Sequence, residues 1–394
     1  GAGLYVAASA MLLFFVLAAL PRLRRRMTWL APLLAAAAVA TPQLLVYQGI
    51  VWRDVLFANL IVAAFVLLAF AVQGWRKRPA LAPALGALAC LATAMLVREN
   101  GIVVVTVAAV SLGLAARTTG WRSRLAWGLG GLAFTAVLAL GLNQAVQPQQ
   151  AVKKLRTNAA ARILEHADIV GAKAHDPGLA LDAVAKANPK APSVIAEGAR
   201  ISYSPERIDG LDRNETLRKT LWHLPDEAVA EQWRTVLLKH PGAYLAHRAD
   251  TFRYVFLTPQ IDHCLPVHVG VEGPPDLVAE LRLKPGADAQ DRALADYARL
   301  FYATPIFSHL SYAVIALVVA GALLARRDPA DWAMIGLQVA ALAFTATFFV
   351  IAVACDYRYL YPLDLAAIAG ALYLALDPPL PVRRQRPGSA PRAP

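Results

Sequence analysis

Long apolar runs separated by short polar loops make up most of the chain. Apolar runs of roughly 17–25 residues cross a bilayer as helices, since lipid offers backbone groups no partner outside their own segment. Nine such runs are predicted as spans: residues 3–20, 28–47, 54–73, 80–97, 101–116, 125–143, 306–325, 332–354 and 359–376. None of them alternates polar and apolar positions as barrel strands do. The pattern therefore predicts an all-α polytopic membrane protein with about nine transmembrane helices.

A polar block separates the sixth run from the seventh, and it is long enough to bury a core of its own. The predicted organisation is residues 1–146 with transmembrane helices 1–6, 147–305 as one mainly helical extracytoplasmic domain, 306–376 with helices 7–9, and 377–394 as a disordered cytoplasmic tail. The tail is predicted to be disordered because it is rich in proline, glycine and polar residues.

Start and stop signals predict three helices within the polar block, at about 151–167, 226–239 and 243–257. A proline followed by two acids opens the second helix, and the sequence His240-Pro241-Gly242 ends it. The stretches 176–204 and 271–286 are rich in proline, glycine and alanine and are predicted to be loops.

Basic residues concentrate in alternate short loops and give the chain a net charge of +12. Arginine and lysine mark the cytoplasmic side of a membrane protein, so these loops and the carboxyl terminus are predicted to be cytoplasmic. The polar block 147–305 is then extracytoplasmic, in a multi-pass protein of the cell membrane. Anionic membrane lipids are the expected partners of the basic loops. Nucleic acid is not an expected partner, because no basic stripe interleaved with aromatic residues occurs in the polar block.

The first apolar run precedes its arginines, whereas a secretory signal carries its positive charge before the apolar stretch. We therefore expect the sequence to lack at least one upstream span and one outer loop.

The three cysteines carry little information. Cys90 lies inside a predicted span, and Cys264 and Cys355 are both predicted outside the cytoplasm, where a disulfide can form. Two free thiols are the favoured expectation over that disulfide.

Three clusters of charged residues lie at the ends of apolar runs, all on the predicted extracytoplasmic side. They are Trp52-Arg53-Asp54, Arg98-Glu99-Asn100 and Asp356-Tyr357-Arg358-Tyr359. A charge at the end of an apolar run is costly to desolvate and usually has a function. Asp364, one turn into the last run, is a further ionisable residue. The clusters predict one polar site that handles a charged ligand.

The residue types in these clusters suit an anionic substrate. Arginine is a bidentate phosphate donor, an ionised carboxylate orients a hydroxyl or holds a metal, and tyrosines flanking an arginine stack on it. Structural alternatives stay open: an Arg–Asp pair beside an aromatic anchor, a turn with a snorkelling arginine, and interfacial tyrosines without further function. The sequence indicates no metal site and leaves the cofactor unknown, a divalent metal included. His263, Cys264 and His268 have ligand-like spacing, but no second pair supports them.

These motifs, taken in order, resemble those of GT-C glycosyltransferases, the superfamily of protein mannosyltransferases and aminoarabinose transferases (glycosyltransferase family 39-like). The stretch from Pro42 through Arg53-Asp54 into a long span resembles the family's second acidic motif. Arg98-Glu99-Asn100-Gly101 resembles its basic turn, and the stretch Tyr357 to Pro362 its late Arg-Tyr before a span with proline. The resemblance covers residues 1–145 and 305–376, and it does not extend to the block 147–305.

The resemblance implies an enzyme that moves a sugar from a polyprenyl-phosphate carrier to an extracytoplasmic acceptor of unknown identity. It implies catalytic roles for Asp54 and Arg53. It implies that the substrate is bound by Arg98, Glu99, Asn100, Asp356, Tyr357, Arg358 and Tyr359. The family's catalytic carboxylate lies in its first outer loop, and the sequence given begins after the corresponding position, so the general base is expected upstream.

Two other classes of function remain as alternatives. A transporter or flippase for an anionic lipid or glycolipid also needs arginines near a membrane face, together with broken helices and ionisable residues deep within its spans. A non-catalytic receptor or scaffold is the third class, and its polar block would bind a partner.

Overall fold

The computed structural model of the chain describes residues 2–24, 27–75, 79–116, 120–145, 150–326 and 328–378, with the side chains of 150–158 excluded. Several predicted features lie outside these residues. They are the basic side chains of Arg25, Arg26, Arg76, Lys77, Arg78, Arg117 and Arg327, and almost all of the tail predicted to be disordered.

Nineteen α-helices account for most of the described residues, as the all-α prediction requires. They are α1 (Ala2–Ala19), α2 (Leu30–Val39), α3 (Pro42–Leu45), α4 (Arg53–Gln73), α5 (Leu81–Val97), α6 (Gly101–Ala115), α7 (Trp121–Ala145), α8 (Gln150–His175), α9 (Asp182–Ala187), α10 (Ala191–Ile201), α11 (Asp209–Arg213), α12 (Glu215–His223), α13 (Asp226–Lys239), α14 (Pro241–Leu257), α15 (Pro275–Glu280), α16 (Ala289–Arg299), α17 (His309–Arg326), α18 (Pro329–Ile351) and α19 (Tyr361–Leu376). Strands are absent from the described residues, where two isolated bridges occur instead.

Among the described residues, six helices are long and apolar enough to cross a membrane, as expected of a multi-pass membrane protein. They are Gly3–Leu23, Arg53–Gln73, Trp121–Ala145, His309–Arg326, Pro329–Ile351 and Tyr357–Leu376. The apolar helices α5 and α6 are shorter. The prediction of one continuous helix over 28–47 is wrong, because α2 and the segment Pro42–Gly49 meet at an angle of 66°. Thr41 has an extended backbone (φ −71°, ψ 146°) and Pro42 begins the next helix, which together break the span.

The α4 helix is the centre of the apolar bundle and is buried along most of its length. It packs against α1, α5, α18 and α19. Small residues let the helices approach closely: a Cβ added at Gly336 of α18 would lie 2.0 Å from Ser111 Oγ of α6. This packing brings the ends of α4, α5, α18 and α19 together on one side of the bundle.

Residues 150–307, which we call the interspan domain, have a second hydrophobic core. The predicted helices at 226–239 and 243–257 are confirmed by α13 and α14, and the first predicted helix extends through His175 as α8. The prediction of a loop over 176–204 is wrong, since it contains α9 and α10. Both helices form because Val184 and Ile195 are buried in this core, a tertiary gain that outweighs the local proline and glycine content.

The interspan domain lies on one end of the bundle, here called the domain end. It forms hydrogen bonds with the segment that follows α18. Arg248 Nη1 donates to Ala352 O (2.7 Å), Ile208 N to Val353 O (3.1 Å), and Cys355 N to Glu206 O (2.6 Å). These contacts fix the backbone immediately before the turn Tyr357–Leu360, and so position the charged residues of that turn.

Candidate anion-binding site

Asp54 lies in the first turn of α4, at the domain end, where the helix dipole favours a carboxylate. Its residue is only 2% exposed. It forms an ion pair with Arg98, the residue that caps the carboxyl end of α5. Arg98 is itself 8% exposed, and its guanidinium lies 5.4 Å from the ring centroid of Tyr359. The result is a nearly buried Asp–Arg pair at the edge of the apolar bundle.

Arg358 approaches the same carboxylate from the turn before α19. Its Nε is 3.9 Å from Asp54 Oδ2, and its Nη2 donates to Asp356 Oδ2 at 3.0 Å. The guanidinium lies 5.0 Å from the ring centroid of Trp52 and 5.7 Å from that of Tyr359. Its side chain remains 28% exposed, so it is more open to a ligand than Arg98 or Asp54.

A third arginine comes from the interspan domain and was missed in the sequence analysis. Arg207 Nη2 lies 3.6 Å from Asp356 Oδ1, and its Nε lies 3.6 Å from Asp209 Oδ2. An antiparallel bridge between Arg207 and Ala354 holds it there. Local sequence gave no signal for its place in the site, because Ala354 and Asp356 are about 150 positions away along the chain.

We call Asp54, Arg98, Arg207, Asp356 and Arg358 the arginine cluster. The cluster holds three guanidinium groups and two carboxylates, and Asp209 also pairs with Arg207 at its edge, so the group is formally neutral once Asp209 is counted. The aromatic rings of Trp52, Phe348 and Tyr359 form its walls. Low-dielectric walls strengthen the attraction for an anion compared with open water. The arginine cluster is therefore suited to a phosphate or carboxylate group that arrives at the domain end.

Four of the residues predicted for the site lie elsewhere. Arg53 and Glu99 are exposed, and neither has an ion pair or hydrogen bond within the described residues. Asn100 Nδ2 donates to Thr347 Oγ1 at 2.9 Å and so fastens the α5–α6 turn to α18. Tyr357 is fully buried and belongs to a separate polar network.

That buried network connects α17, α19 and the broken span. Tyr357 OH donates to Asp364 Oδ2 at 2.7 Å, and His309 Nδ1 lies 2.8 Å from Asp364 Oδ1. Gln43 Nε2 donates to Tyr357 OH at 3.2 Å, and Tyr361 OH donates to Gln43 O at 2.8 Å. Asp364, the ionisable residue one turn into the last apolar run, is thus one member of a polar network that spans three elements.

The expectation of two free thiols is wrong, because Cys264 and Cys355 form a disulfide. Their Cα atoms are 4.7 Å apart, although 91 positions separate them in sequence. The bond ties the interspan domain to the residue preceding Asp356, and so adds a covalent constraint on the arginine cluster. Cys90 is free and half-buried.

A second charged group lies inside the interspan domain, close to its junction with α18. Arg248 and Asp168 are both fully buried and form an ion pair. Trp233 Nε1 donates to Asp168 Oδ2 at 2.7 Å, and His247 Nε2 lies 3.3 Å from Asp168 Oδ1. Burial lowers the pKa of His247, which favours its neutral form. The group links α8, α13 and α14.

Within the described residues, no three His, Cys, Asp or Glu side chains are grouped so that they could hold a metal ion. Comparison with known proteins adds no further assignment. No protein-family profile, no curated protein and no solved structure matches the chain. The function therefore has to be argued from the geometry of the site.

Proposed function

We propose that this protein is a membrane glycosyltransferase that takes a sugar from a polyprenyl-phosphate donor and passes it to an extracytoplasmic acceptor. The arginine cluster would bind the donor phosphate at the membrane boundary. The observation that carries the proposal is the convergence of Arg98, Arg207 and Arg358, from three distant parts of the chain, around Asp54 and Asp356. The order of the motifs that resemble GT-C enzymes supports the same function.

The proposal includes a topology. The apolar helices from α1 to α7 and from α17 to α19 would make nine spans, with α2 and the segment Pro42–Gly49 counted as one broken span. The basic loops would face the cytoplasm, which puts the interspan domain and the arginine cluster on the extracytoplasmic side of the cell membrane. A lipid phosphate at that boundary would lie level with the ends of α4 and α5, where Asp54 and Arg98 are found.

The reaction explains why guanidinium groups belong at this place. The acceptor oxygen forms a bond to the anomeric carbon of the sugar, and the bond from that carbon to the phosphate oxygen breaks. The donor phosphodiester carries one negative charge, and the departing polyprenyl phosphate monoester takes a second. Fixed guanidinium groups stabilise that charge where it develops. Arg358 and Arg207 would meet the phosphate, since both are partly exposed, while Arg98 is more deeply set.

The two carboxylates of the cluster are assigned mainly to positioning. Asp54 holds Arg98 and lies near Arg358, and Asp356 holds Arg207 and Arg358. Both carboxylates are engaged with guanidinium groups, which leaves neither one free to accept a proton from a hydroxyl. The proton of the acceptor hydroxyl would therefore pass to a base other than Asp54, which is a change from the catalytic role that the resemblance implies.

A transfer assay tests the proposal. Purified protein in proteoliposomes would be given a panel of radiolabelled polyprenyl-phosphate hexoses and an extract of cell-envelope acceptors. Transfer of label is expected with the natural protein, and Arg358→Gln should reduce it by about 10- to 150-fold, the loss of one charge-assisted hydrogen bond. Arg299→Gln is the matched control: its exposed arginine pairs only with Asp296 and should keep full activity. Full activity in Arg358→Gln would contradict the proposal.

A transporter or flippase for an anionic lipid is the second candidate, and two observations favour it. The span 28–47 is broken, and the ionisable pair Asp364–His309 is fully buried in the bundle. Both features are common in transporters. A fluorescent polyprenyl phosphate in vesicles separates the candidates: a transporter moves the lipid between leaflets in the absence of sugar transfer, whereas the glycosyltransferase requires only access to one leaflet.

A further inference from the structure

We propose that residues Val271–Gly286 form a membrane-surface anchor whose leucines insert into the leaflet at the domain end. This interaction surface is independent of the arginine cluster, and its partner is lipid rather than a protein. The segment was predicted to be a loop, and apart from the short helix α15 it is one. Three features set it apart from an ordinary solvated loop: a closed base, an apolar tip, and flanking residues that contact the end of the bundle.

The base of the segment is closed by backbone pairing. Val271 N donates to Gly286 O (3.0 Å) and Gly286 N donates to Val271 O (2.9 Å). Gly270 precedes the base with φ +75°, and a Cβ added there would lie 2.4 Å from Gly286 O. A side chain is therefore excluded at this position, and the loop leaves and re-enters the domain at one fixed point. The backbone pairing at the base therefore fixes where the tip emerges from the domain.

The tip carries leucines that no part of the protein covers. Leu277, Leu281 and Leu283 are 49%, 67% and 44% exposed, and none of the residues of α15 is buried. Arg282 and Lys284 alternate with the last two leucines and are also exposed. Apolar side chains grouped on a loop gain free energy when they leave water. Alternating leucine and basic side chains suit the boundary between acyl chains and phosphate head groups.

The residues that flank the segment in sequence contact the domain end of the apolar bundle at the break between α2 and α3. Five positions before Val271, Pro266 O accepts a hydrogen bond from Tyr47 OH of the broken span. On its other side, α16 is fastened to the end of α2 by Tyr297 OH, which donates to Ala40 O. Gln43 Nε2 also donates to Ile306 O at 2.6 Å. The segment is thus bounded in sequence on both sides by contacts with the end of a membrane helix pair, and from this we infer that its tip reaches lipid.

Spin labels would test the depth of the tip in the full-length protein reconstituted in bilayers. Leu281→Cys on a Cys90→Ala background gives one reactive thiol, because Cys264 and Cys355 are joined. Leu238→Cys is the matched control, an 81% exposed leucine on α13 in the interspan domain. Collisions with oxygen, which partitions into lipid, are compared with collisions with a water-soluble nickel chelate.

The label at 281 is expected to collide several-fold more with oxygen than with the nickel chelate, and the label at 238 should show the opposite order. Leu283→Cys should repeat the result at 281. If the label at 281 behaves like that at 238, the tip lies in water and the proposal is overturned. If the label is shielded from both reagents, a protein surface covers the tip, and the proposal is overturned as well.

Discussion

Replacing Asp54 by asparagine is expected to destabilise the protein strongly, because it leaves the Arg98 guanidinium buried without its counter-charge. The side chains of Asp54 and Arg98 are only 3% and 8% exposed. Removing one partner of a buried ion pair costs about 3–5 kcal/mol. Arg358 cannot take the place of Asp54, since it carries the same positive charge as Arg98. We therefore expect Asp54→Asn to lower the free energy of unfolding by roughly that amount.

A double-mutant cycle can isolate the interaction energy between Asp54 and Arg98. Arg98→Gln alone leaves Asp54 with only Arg358, whose Nε is 3.9 Å away, and is also expected to destabilise. The double variant Asp54→Asn, Arg98→Gln removes both charges, so its cost should be smaller than the sum of the two single costs by about 2 kcal/mol or more. Unfolding would be followed in mixed micelles as the fraction of SDS increases.

Arg53→Gln is the control for this cycle, because Arg53 is adjacent in sequence but exposed and unpaired among the described residues. Its effect should stay within about 0.5 kcal/mol, as for most surface substitutions. Additive single effects in the cycle, or a cost for Arg53→Gln equal to that of Asp54→Asn, would refute the placement of this pair.

Two further predictions concern the interspan domain. Burial lowers the pKa of His166 to about 4 from an ordinary value of 6.5, so its neutral form is favoured in the folded state. The contribution of His166 to the free energy of unfolding is complete above pH 6.5. It falls by about 3 kcal/mol in total as the pH drops towards 4. His166→Phe should flatten this pH dependence of stability in tryptophan-fluorescence melts. Cys264→Ser is expected to cost about 4–5 kcal/mol through lost loop closure, since 91 positions separate Cys264 from Cys355. A melting temperature equal to that of the parent protein would contradict this estimate.

The sequence was sufficient to predict the helical class and the apolar runs, because both follow from local hydropathy. It also identified Asp54, Arg98 and Arg358, since charges at the ends of apolar runs are conspicuous. The break at Thr41 was missed, because Pro42 lies within an otherwise apolar run and proline is tolerated in membrane-spanning helices. Pairings over long sequence separations were missed for a different reason.

Arg207 and the disulfide belong to that second group. Arg207 reaches Asp356 only after the bridge to Ala354 has formed, and the two cysteines meet only when the interspan domain docks on α18. Contacts of this kind depend on tertiary packing, which local composition does not encode. The loop predicted over 176–204 failed for the same reason, because burial of Val184 and Ile195 decides its structure.

The affinity for a lipid phosphate tests the central claim most directly. Polyprenyl monophosphate, which carries the phosphate and no sugar, would be titrated into the protein in nanodiscs, with uncharged polyprenol as the reference ligand. The account predicts that the phosphate binds much more tightly than the alcohol, and that Arg358→Gln weakens phosphate binding about 10- to 150-fold while Arg299→Gln leaves it unchanged. Equal affinity for the two lipids, or undiminished phosphate binding in Arg358→Gln, would contradict it.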